Sequence, residues 1–151
     1  MEIREVVNNK AEFMPLLLIG DEDELMIGKY LEHSKLYALY KDSVIVSLCA
    51  LVIINSDTIE IKNLATYPKY QNRGYASKLL NFVFDKYKDS FKKVILGTGE
   101  NDITLNYYKK RGFRQTRRVK NFFIDNYPHP IFENGKQLVD MIYLEKPLIN
   151  E

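Results

Sequence analysis

A strand-like stretch that leads through a polar turn into an amphipathic helix is the strongest constraint on the fold of this chain. Residues 58–66 follow a β-strand pattern, and the turn Gln71-Asn72-Arg73-Gly74-Tyr75-Ala76 comes a few residues later. The helical pattern then continues to about residue 88, with apolar side chains at Ala76, Leu79, Leu80, Val83 and Tyr87. This spacing places the apolar side chains on one helix face, so the segment predicts a strand–turn–helix unit.

The turn has the composition of an anion-binding site. Backbone N–H groups in the first turn of a helix lack intrahelical acceptors, and the helix dipole is positive at that end. Gly74 lets the backbone approach a ligand, Arg73 adds a cation, and Ala76 leaves the first turn uncrowded. Short glycine patterns also occur in ordinary polar turns, which is the alternative. The position between a strand and a helix favours a phosphate-binding role.

The rest of the chain predicts a mixed sheet with flanking helices. Strand patterns occupy residues 3–7, 36–40, 44–54, 93–96, 113–124 and 137–144, and helix patterns occupy residues 9–18, about 21–31 and 102–111. Asp21 and Glu24 have capping-box spacing, the glycines at 97 and 99 are expected to interrupt the pattern, and residues 125–135 are expected to form a loop. The order β-α-α-β-β-β-α-β-α-β-β predicts an α/β (α+β) fold with about six to seven strands and about four helices.

Length and composition predict one soluble, cytoplasmic domain spanning residues 1–151. Hydrophobic residues make up 46% and charged residues 28%, and the amino terminus has no signal-peptide or transit pattern. A net charge of +2 does not predict nucleic-acid binding, and no membrane segment is expected. Cys49 lies in an apolar run, and His33 and His129 lack the spacing of metal ligands, so no metal site is predicted.

The strand at residues 58–66 carries a candidate catalytic carboxylate. If Ile59 and Ile61 face the core, Glu60 faces the other side of a central strand, where an ionised group is costly unless that side is a cleft. A carboxylate in a cleft can act as a general base. An ion pair with Lys62 is the alternative role for Glu60.

Two spaced motifs resemble the GNAT superfamily of acetyl-CoA-dependent N-acetyltransferases. The superfamily signature Gln/Arg-x-x-Gly-x-Gly/Ala stands here at residues 71–76. A second pattern, in which an Asn precedes a Tyr by seven residues, matches Asn101, Tyr108, Lys110, Gly112 and Phe113. The chain departs from the family at Thr104, where an alanine is common, and residues 121–135 resemble tails found in a subset of bacterial members.

The resemblance implies that acetyl-CoA is a co-substrate. The N–H groups of residues 73–77 would hold its pyrophosphate, and the backbone of residues 64–66 would pair with the pantetheine arm and polarise the thioester carbonyl. The implied cofactor-binding residues are Leu64, Ala65, Thr66, Gln71, Asn72, Arg73, Gly74, Tyr75, Ala76, Ser77 and Asn101. Asn101 would contact the pantetheine arm, cap the helix that begins at Asp102, or do both.

The implied reaction is direct attack of a primary amine on the thioester in a ternary complex. Glu60, eleven residues before Gln71 as in some histone-acetylating relatives, would be the general base, or water chains would deprotonate the amine without it. Tyr108 would be the general acid for the thiolate, with core packing as the alternative. On an ideal helix Tyr108 shares a face with Asn101, whereas Tyr107 is turned toward packing.

Other functions compete with this interpretation. Residues 94–99 resemble the start of a dinucleotide-binding turn, but Asp102 occupies the third glycine position, which disfavours that function. A domain that senses acyl-CoA without catalysis is the second alternative. The sequence leaves open whether the acceptor is a small-molecule or a peptide amine, and whether the protein forms a homodimer.

Overall fold

A seven-stranded sheet forms the centre of the fold in a computed structural model that describes residues 1–148. The strand order is β1-β2-β3-β4-β5-β9-β6, and within the described part of this sheet only β4 and β5 pair in parallel. These strands are β1 (Glu2–Val6), β2 (Lys35–Lys41), β3 (Val44–Ile53), β4 (Thr58–Thr66), β5 (Lys93–Gly99), β6 (Arg114–Val119) and β9 (Met141–Pro147). A separate hairpin pairs β7 (Phe132–Glu133) with β8 (Lys136–Gln137).

Helices cover both faces of the sheet, which confirms the predicted mixed α/β fold. They are α1 (Met14–Gly20), α2 (Glu24–Gly28), α3 (Tyr75–Tyr87), α4 (Asp102–Lys110) and α5 (Phe122–Asn126), with 3₁₀ turns at Lys10–Phe13 and Pro68–Tyr70. Pro15 lies in the first turn of α1, where its missing N–H costs nothing. The α-helix therefore starts at Met14 and not at residue 9. No helix within residues 1–148 is both long and apolar enough to cross a membrane.

Two apolar cores hold the helices against the sheet. Leu79, Leu80 and Val83 of α3 are fully buried against one face. Leu17 of α1 and Ile27 of α2 are fully buried against the other. Burial of each such side chain contributes about 1.5–3 kcal/mol, so α3 owes its position to the apolar stripe that the sequence shows.

A β-bulge and a parting of strands shape the carboxyl end of β4. On the β3 side, Leu51 pairs with Ile61 and Ala50 pairs with Asn63, so Lys62 is an extra residue in the ladder. On the β5 side, pairing ends where Ile61 meets Leu96. Residues 62–66 therefore face a gap in which β5 supplies no ladder partner.

Several predicted element ends were wrong, each for a tertiary reason. The strand predicted at residues 113–124 ends at Val119, and α5 follows because Phe123 packs with Ile131 and Leu138 in a small separate core. The last strand begins at Met141 and not at residue 137, because residues 136–137 pair within the β7–β8 hairpin.

Two further predictions were wrong at the level of single residues. β5 continues through both of its glycines, where a Cβ at Gly97 would lie 2.8 Å from the Met141 sulfur and one at Gly99 would lie 2.6 Å from Leu138. The N-cap of α2 is Asp23, which accepts hydrogen bonds from the N–H groups of the second and third helical residues. Asp21, the predicted cap, instead accepts a hydrogen bond from the Tyr127 hydroxyl at 2.9 Å.

Candidate active site

Two clefts adjoin the bulged end of β4. The first, which we call the α3 cleft, has a volume of about 610 Å³ and lies between the start of α3 and α4, with Leu64 and Thr66 at its side. The second, the α2 cleft, has a volume of about 580 Å³ and lies between the α1–α2 segment, β4 and the α5–β7 segment. The clefts meet where Thr104 of the first donates a hydrogen bond of 3.5 Å to Glu133 of the second.

The first turn of α3 presents free backbone donors to the α3 cleft. The first backbone bond of the helix runs from the Lys78 N–H to the Gly74 carbonyl at 3.1 Å. The N–H groups of residues 75–77 therefore have no intrahelical acceptor. Gly74 has a φ of 85°, a left-handed conformation that glycine adopts without strain, and it begins the helix there. Together with the helix dipole, this geometry suits an anion.

A cation lies beside these donors. The Arg111 guanidinium donates hydrogen bonds to the Ser77 hydroxyl from Nε at 3.0 Å and from Nη2 at 2.7 Å. It also stacks 3.6 Å above the Tyr107 ring and donates to the Tyr107 carbonyl at 2.8 Å. The Tyr107 hydroxyl lies within hydrogen-bonding distance of Ser77, at 3.0 Å. Arg111, Ser77 and Tyr107 thus form one connected group in the wall of the cleft.

Both tyrosines of α4 reach the α3 cleft. Tyr108 lines it while its ring packs edge-on against Phe113 and Tyr107. Burial raises the pKa of the Tyr108 phenol, which therefore keeps its proton at neutral pH. Tyr107 packs against the core, as predicted, and its hydroxyl also contacts Ser77 in the cleft wall. The sequence pattern alone did not separate the two residues.

Some of the other predicted cofactor-binding residues line the α3 cleft, and others lie outside its wall. Asn72, Tyr75 and Ala76 join Gly74 and Ser77 in the wall of the α3 cleft.

Gln71 also lines this cleft, and its side-chain amide donates to the Thr66 carbonyl at 3.0 Å, which ties the turn to the end of β4. Ala65 packs in the core beneath α1 and α2, and Arg73 is exposed. Asn101 is buried as the N-cap of α4, where its side-chain oxygen accepts from the Ile103 N–H at 2.9 Å.

Glu60 faces the α2 cleft, on the side of β4 opposite to the core residues Ile59 and Ile61. Its side chain is 11% exposed and pairs with the Lys62 ammonium at 3.4 Å. The Lys62 ammonium also lies 5.9 Å from the centre of the Tyr30 ring. Glu60 therefore both lies in a cleft and forms an ion pair with Lys62, two arrangements that the sequence presented as alternatives.

Two further carboxylates that line the α2 cleft, Asp21 and Glu133, have raised pKa values. Burial raises the pKa of Asp21, although the Asp23 N–H and the Tyr127 hydroxyl both donate to it. Burial also raises the pKa of Glu133. Tyr143 lines the same cleft, and burial together with the nearby charge of Glu60 raises the pKa of its phenol. The carboxylates give this cleft an attraction for cations.

Sequence reasoning missed most of this second cleft. Tyr127 and Glu133 belong to residues 121–135, where the unusual content of aromatic residues and prolines was the only available signal. Nothing in the sequence around Arg111 indicates its contact with Ser77, which lies 34 residues away. Within residues 1–148, no group of three or more His, Cys, Asp and Glu side chains is arranged to hold a metal ion.

A helix start with free backbone N–H groups, a gap in a mixed sheet and a carboxylate in an adjoining cleft form the arrangement expected of an acyltransferase that uses a phosphate-bearing carrier. The chain belongs to the acetyltransferase (GNAT) family, whose family model matches residues 9–113. Membership confirms the class predicted from the two motifs, a GNAT-type N-acetyltransferase.

Several relatives resemble the chain over nearly its whole length. An uncharacterised N-acetyltransferase of Bacillus subtilis, YvbK, is 32% identical over 95% of this chain and 93% of its own. The crystal structure of a GNAT family acetyltransferase from Elizabethkingia anophelis with acetyl-CoA bound is 38% identical, with a TM-score of 0.91 and 97% of each chain covered. A structure described as an IAA acetyltransferase from Bacillus cereus is 28% identical, with a TM-score of 0.90 and coverage of 97% and 98%.

Proposed function

We propose that the protein transfers the acetyl group of acetyl-CoA to a primary amine by direct attack in a ternary complex. The observation that carries this proposal is the open end of β4, which borders both clefts. A carrier bound in the α3 cleft presents its thioester at the gap, and an amine bound in the α2 cleft reaches it from the other side. The acetyl-CoA in the 38% identical relative from E. anophelis supports this choice of co-substrate.

The backbone supplies the carrier site. The N–H groups at the start of α3 bind the diphosphate, and the unpaired edge of residues 64–66 receives the amides of the pantetheine arm as an added strand would. A backbone N–H in the same stretch polarises the thioester carbonyl as negative charge develops on its oxygen.

Two side chains move protons in the proposed reaction. Glu60 accepts a proton from the ammonium form of the acceptor, directly or through a water molecule, and the neutral nitrogen then attacks the thioester carbonyl carbon. As the C–S bond breaks, the Tyr108 phenol donates its proton to the leaving thiolate, and the nitrogen of the tetrahedral intermediate gives up its second proton through water, which restores the phenol. The products are the N-acetylated amine and coenzyme A.

The charge of the α2 cleft limits the acceptor. The carboxylates that line it are Asp21, Glu22, Glu60 and Glu133, and the amines that line it are Lys29 and Lys62. Since Lys62 pairs with Glu60, the balance favours an acceptor of net positive charge over one that carries a carboxylate near its amine. Small-molecule and peptide amines both fit this description.

Release of coenzyme A tests the proposal. The purified protein is incubated with acetyl-CoA and a panel of amines that differ in charge and size, and free thiol is measured over time against a no-amine control. Amine-dependent thiol release together with a mass increase of one acetyl group on the amine supports the proposed reaction. Tight binding of acetyl-CoA without release for any amine would instead support a sensor domain.

A further inference from the structure

The geometry points to Arg111 as a ligand of the coenzyme A diphosphate, held ready by Ser77 and Tyr107. This inference rests on the proposed function and adds a residue to the binding site that the GNAT-like motifs do not assign. The first motif places anion binding in the backbone at residues 73–77, whereas Arg111 occupies an unspecified position of the second motif, at the end of α4 and thirty-four residues beyond Ser77.

Arg111 is a cation whose fixed partners are all neutral. Its guanidinium contacts the Ser77 hydroxyl, the Tyr107 carbonyl and the face of the Tyr107 ring, and within residues 1–148 it forms no ion pair with a carboxylate. By contrast, Arg118 of β6 pairs with Glu100 at 2.6 Å and with Asp140 at 2.7 Å. A half-buried guanidinium without a counter-ion, in the wall of a cleft, is a site where an anion gains most from binding.

The existing hydrogen bonds leave donors available for a ligand. A guanidinium has five N–H groups, and those from Nε, Nη1 and Nη2 to Ser77 and Tyr107 use three of them. One N–H on Nη1 and one on Nη2 remain. Phosphate oxygens can therefore accept two bonds from Arg111 without loss of the contacts that hold it in place.

Ser77 connects this cation with the start of α3. It is the third residue of that helix, so its backbone N–H belongs to the donors without intrahelical acceptors, while its hydroxyl accepts from Arg111. An anion at the helix start thus meets backbone N–H groups and the full charge of Arg111 in the same cleft. Because stacking on Tyr107 already restricts the guanidinium, little side-chain entropy remains to be lost on binding.

A purely structural role for Arg111 makes a different prediction. A cation at the end of a helix stabilises its carboxyl terminus, and Arg111 does donate to the Tyr107 carbonyl in the last turn of α4. If that were its whole role, its removal would lower the melting temperature and leave ligand affinity unchanged. Affinity for ligands with and without the relevant phosphate separates the two roles.

The test compares Arg111→Gln with Arg114→Gln in calorimetric titrations of coenzyme A and of dephospho-coenzyme A, which keeps the diphosphate and lacks the 3′-phosphate. Arg114 is the matched control because its side chain is 78% exposed and lies outside the cleft. We expect Arg111→Gln to weaken both ligands by a similar factor of roughly ten to a hundred, whereas Arg114→Gln changes either by less than about threefold.

Each contrary outcome identifies a separate failure. Unchanged affinities in Arg111→Gln, with or without a lower melting temperature, overturn the inference and leave the proposed function intact. A loss for coenzyme A but not for its dephospho form also overturns it, since the contact would then be with the 3′-phosphate. Equal losses in both variants would indicate a general charge effect. If the unmodified protein binds neither ligand, the proposed function itself fails.

Discussion

Gly74→Asp is expected to remove coenzyme binding while the fold survives. A Cβ at this position meets no atom within 4 Å, so an aspartate side chain fits without a clash. The φ of 85° costs an L-residue about 1–2 kcal/mol, and Asp and Asn tolerate this region better than most residues. For a chain of 151 residues we therefore expect the melting temperature to fall by only a few degrees, roughly 2–6 °C.

The added charge acts on the ligand far more strongly than the strain acts on the fold. Like charges about 5 Å apart at an effective dielectric constant of about 20 repel by about 3 kcal/mol. The aspartate also competes for the free N–H groups at the start of α3, which it can accept from as an N-cap. Both effects oppose binding of a diphosphate, and affinity should fall by at least about a hundredfold.

Gly74→Asn is the matched control because it has the same shape and the same backbone requirement without the charge. Calorimetric titration of coenzyme A should show a loss for the Asn variant that is at least about tenfold smaller than for the Asp variant. Thermal melts without ligand should be alike for the two variants. Equal coenzyme affinity in the Asp and Asn proteins would refute the assignment of the diphosphate to this helix start.

Three further predictions concern catalysis and stability. Glu60→Gln should lower turnover by about two orders of magnitude near neutral pH and by less at high pH, where the amine loses its proton to solvent; a pH–rate profile measures this. Tyr108→Phe should lower kcat by roughly 10²–10⁴ with little change in coenzyme affinity. Tyr107→Phe should instead weaken coenzyme affinity, and measuring both kcat and Kd for each variant separates the two effects. Gly20→Ala should lower the free energy of unfolding by about 1–3 kcal/mol in denaturant titrations, because its Cβ would lie 2.0 Å from the Asn63 side-chain oxygen.

Each of these predictions has its own control. Lys62→Met removes the ion-pair partner of Glu60. If its pH–rate profile equals that of Glu60→Gln, the loss of turnover comes from the broken ion pair and not from the loss of a general base. A Tyr108→Phe protein with normal kcat would make Tyr108 a packing residue. Gly28, like Gly20, lies at the end of a helix, but no atom lies within 4 Å of its Cβ position. Gly28→Ala should therefore stabilise the protein by about 0.5–1 kcal/mol. Equal effects of Gly20→Ala and Gly28→Ala would contradict a clash with Asn63 at position 20.

The strand–turn–helix unit could be predicted because its determinants are local. The apolar spacing of α3 and the alternation of β4 are visible in short windows, and Gly74 and Gly112 adopt the positive φ that their positions require. The position of Glu60 in a cleft could be predicted for the same reason, because alternation along β4 places its side chain on the face opposite to Ile59 and Ile61.

The parts that could not be predicted depend on contacts between distant segments. Asp21 and Asp23 are equally good local caps, and what diverts Asp21 is a hydroxyl 106 residues away, on Tyr127. The aromatic pair at residues 122–123 continues a strand pattern locally, yet it folds as a helix because Ile131 and Leu138 complete a core around it. The role inferred for Arg111 likewise depends on the packing of α4 against α3.

The parting of β4 and β5 also has a consequence for cooperativity. The β1–β4 half of the sheet is joined to the β5–β9–β6 half by a seam of four residue pairs, from Thr58 with Lys93 to Ile61 with Leu96. In the free protein we expect the two halves to open with different free energies in amide hydrogen exchange, as separate folding units do. A ligand that pairs with the free edge of β4 and contacts α4 lengthens the seam. Exchange rates of the two halves should then converge, and the bound molecule would act as a structural element of the sheet as well as a substrate.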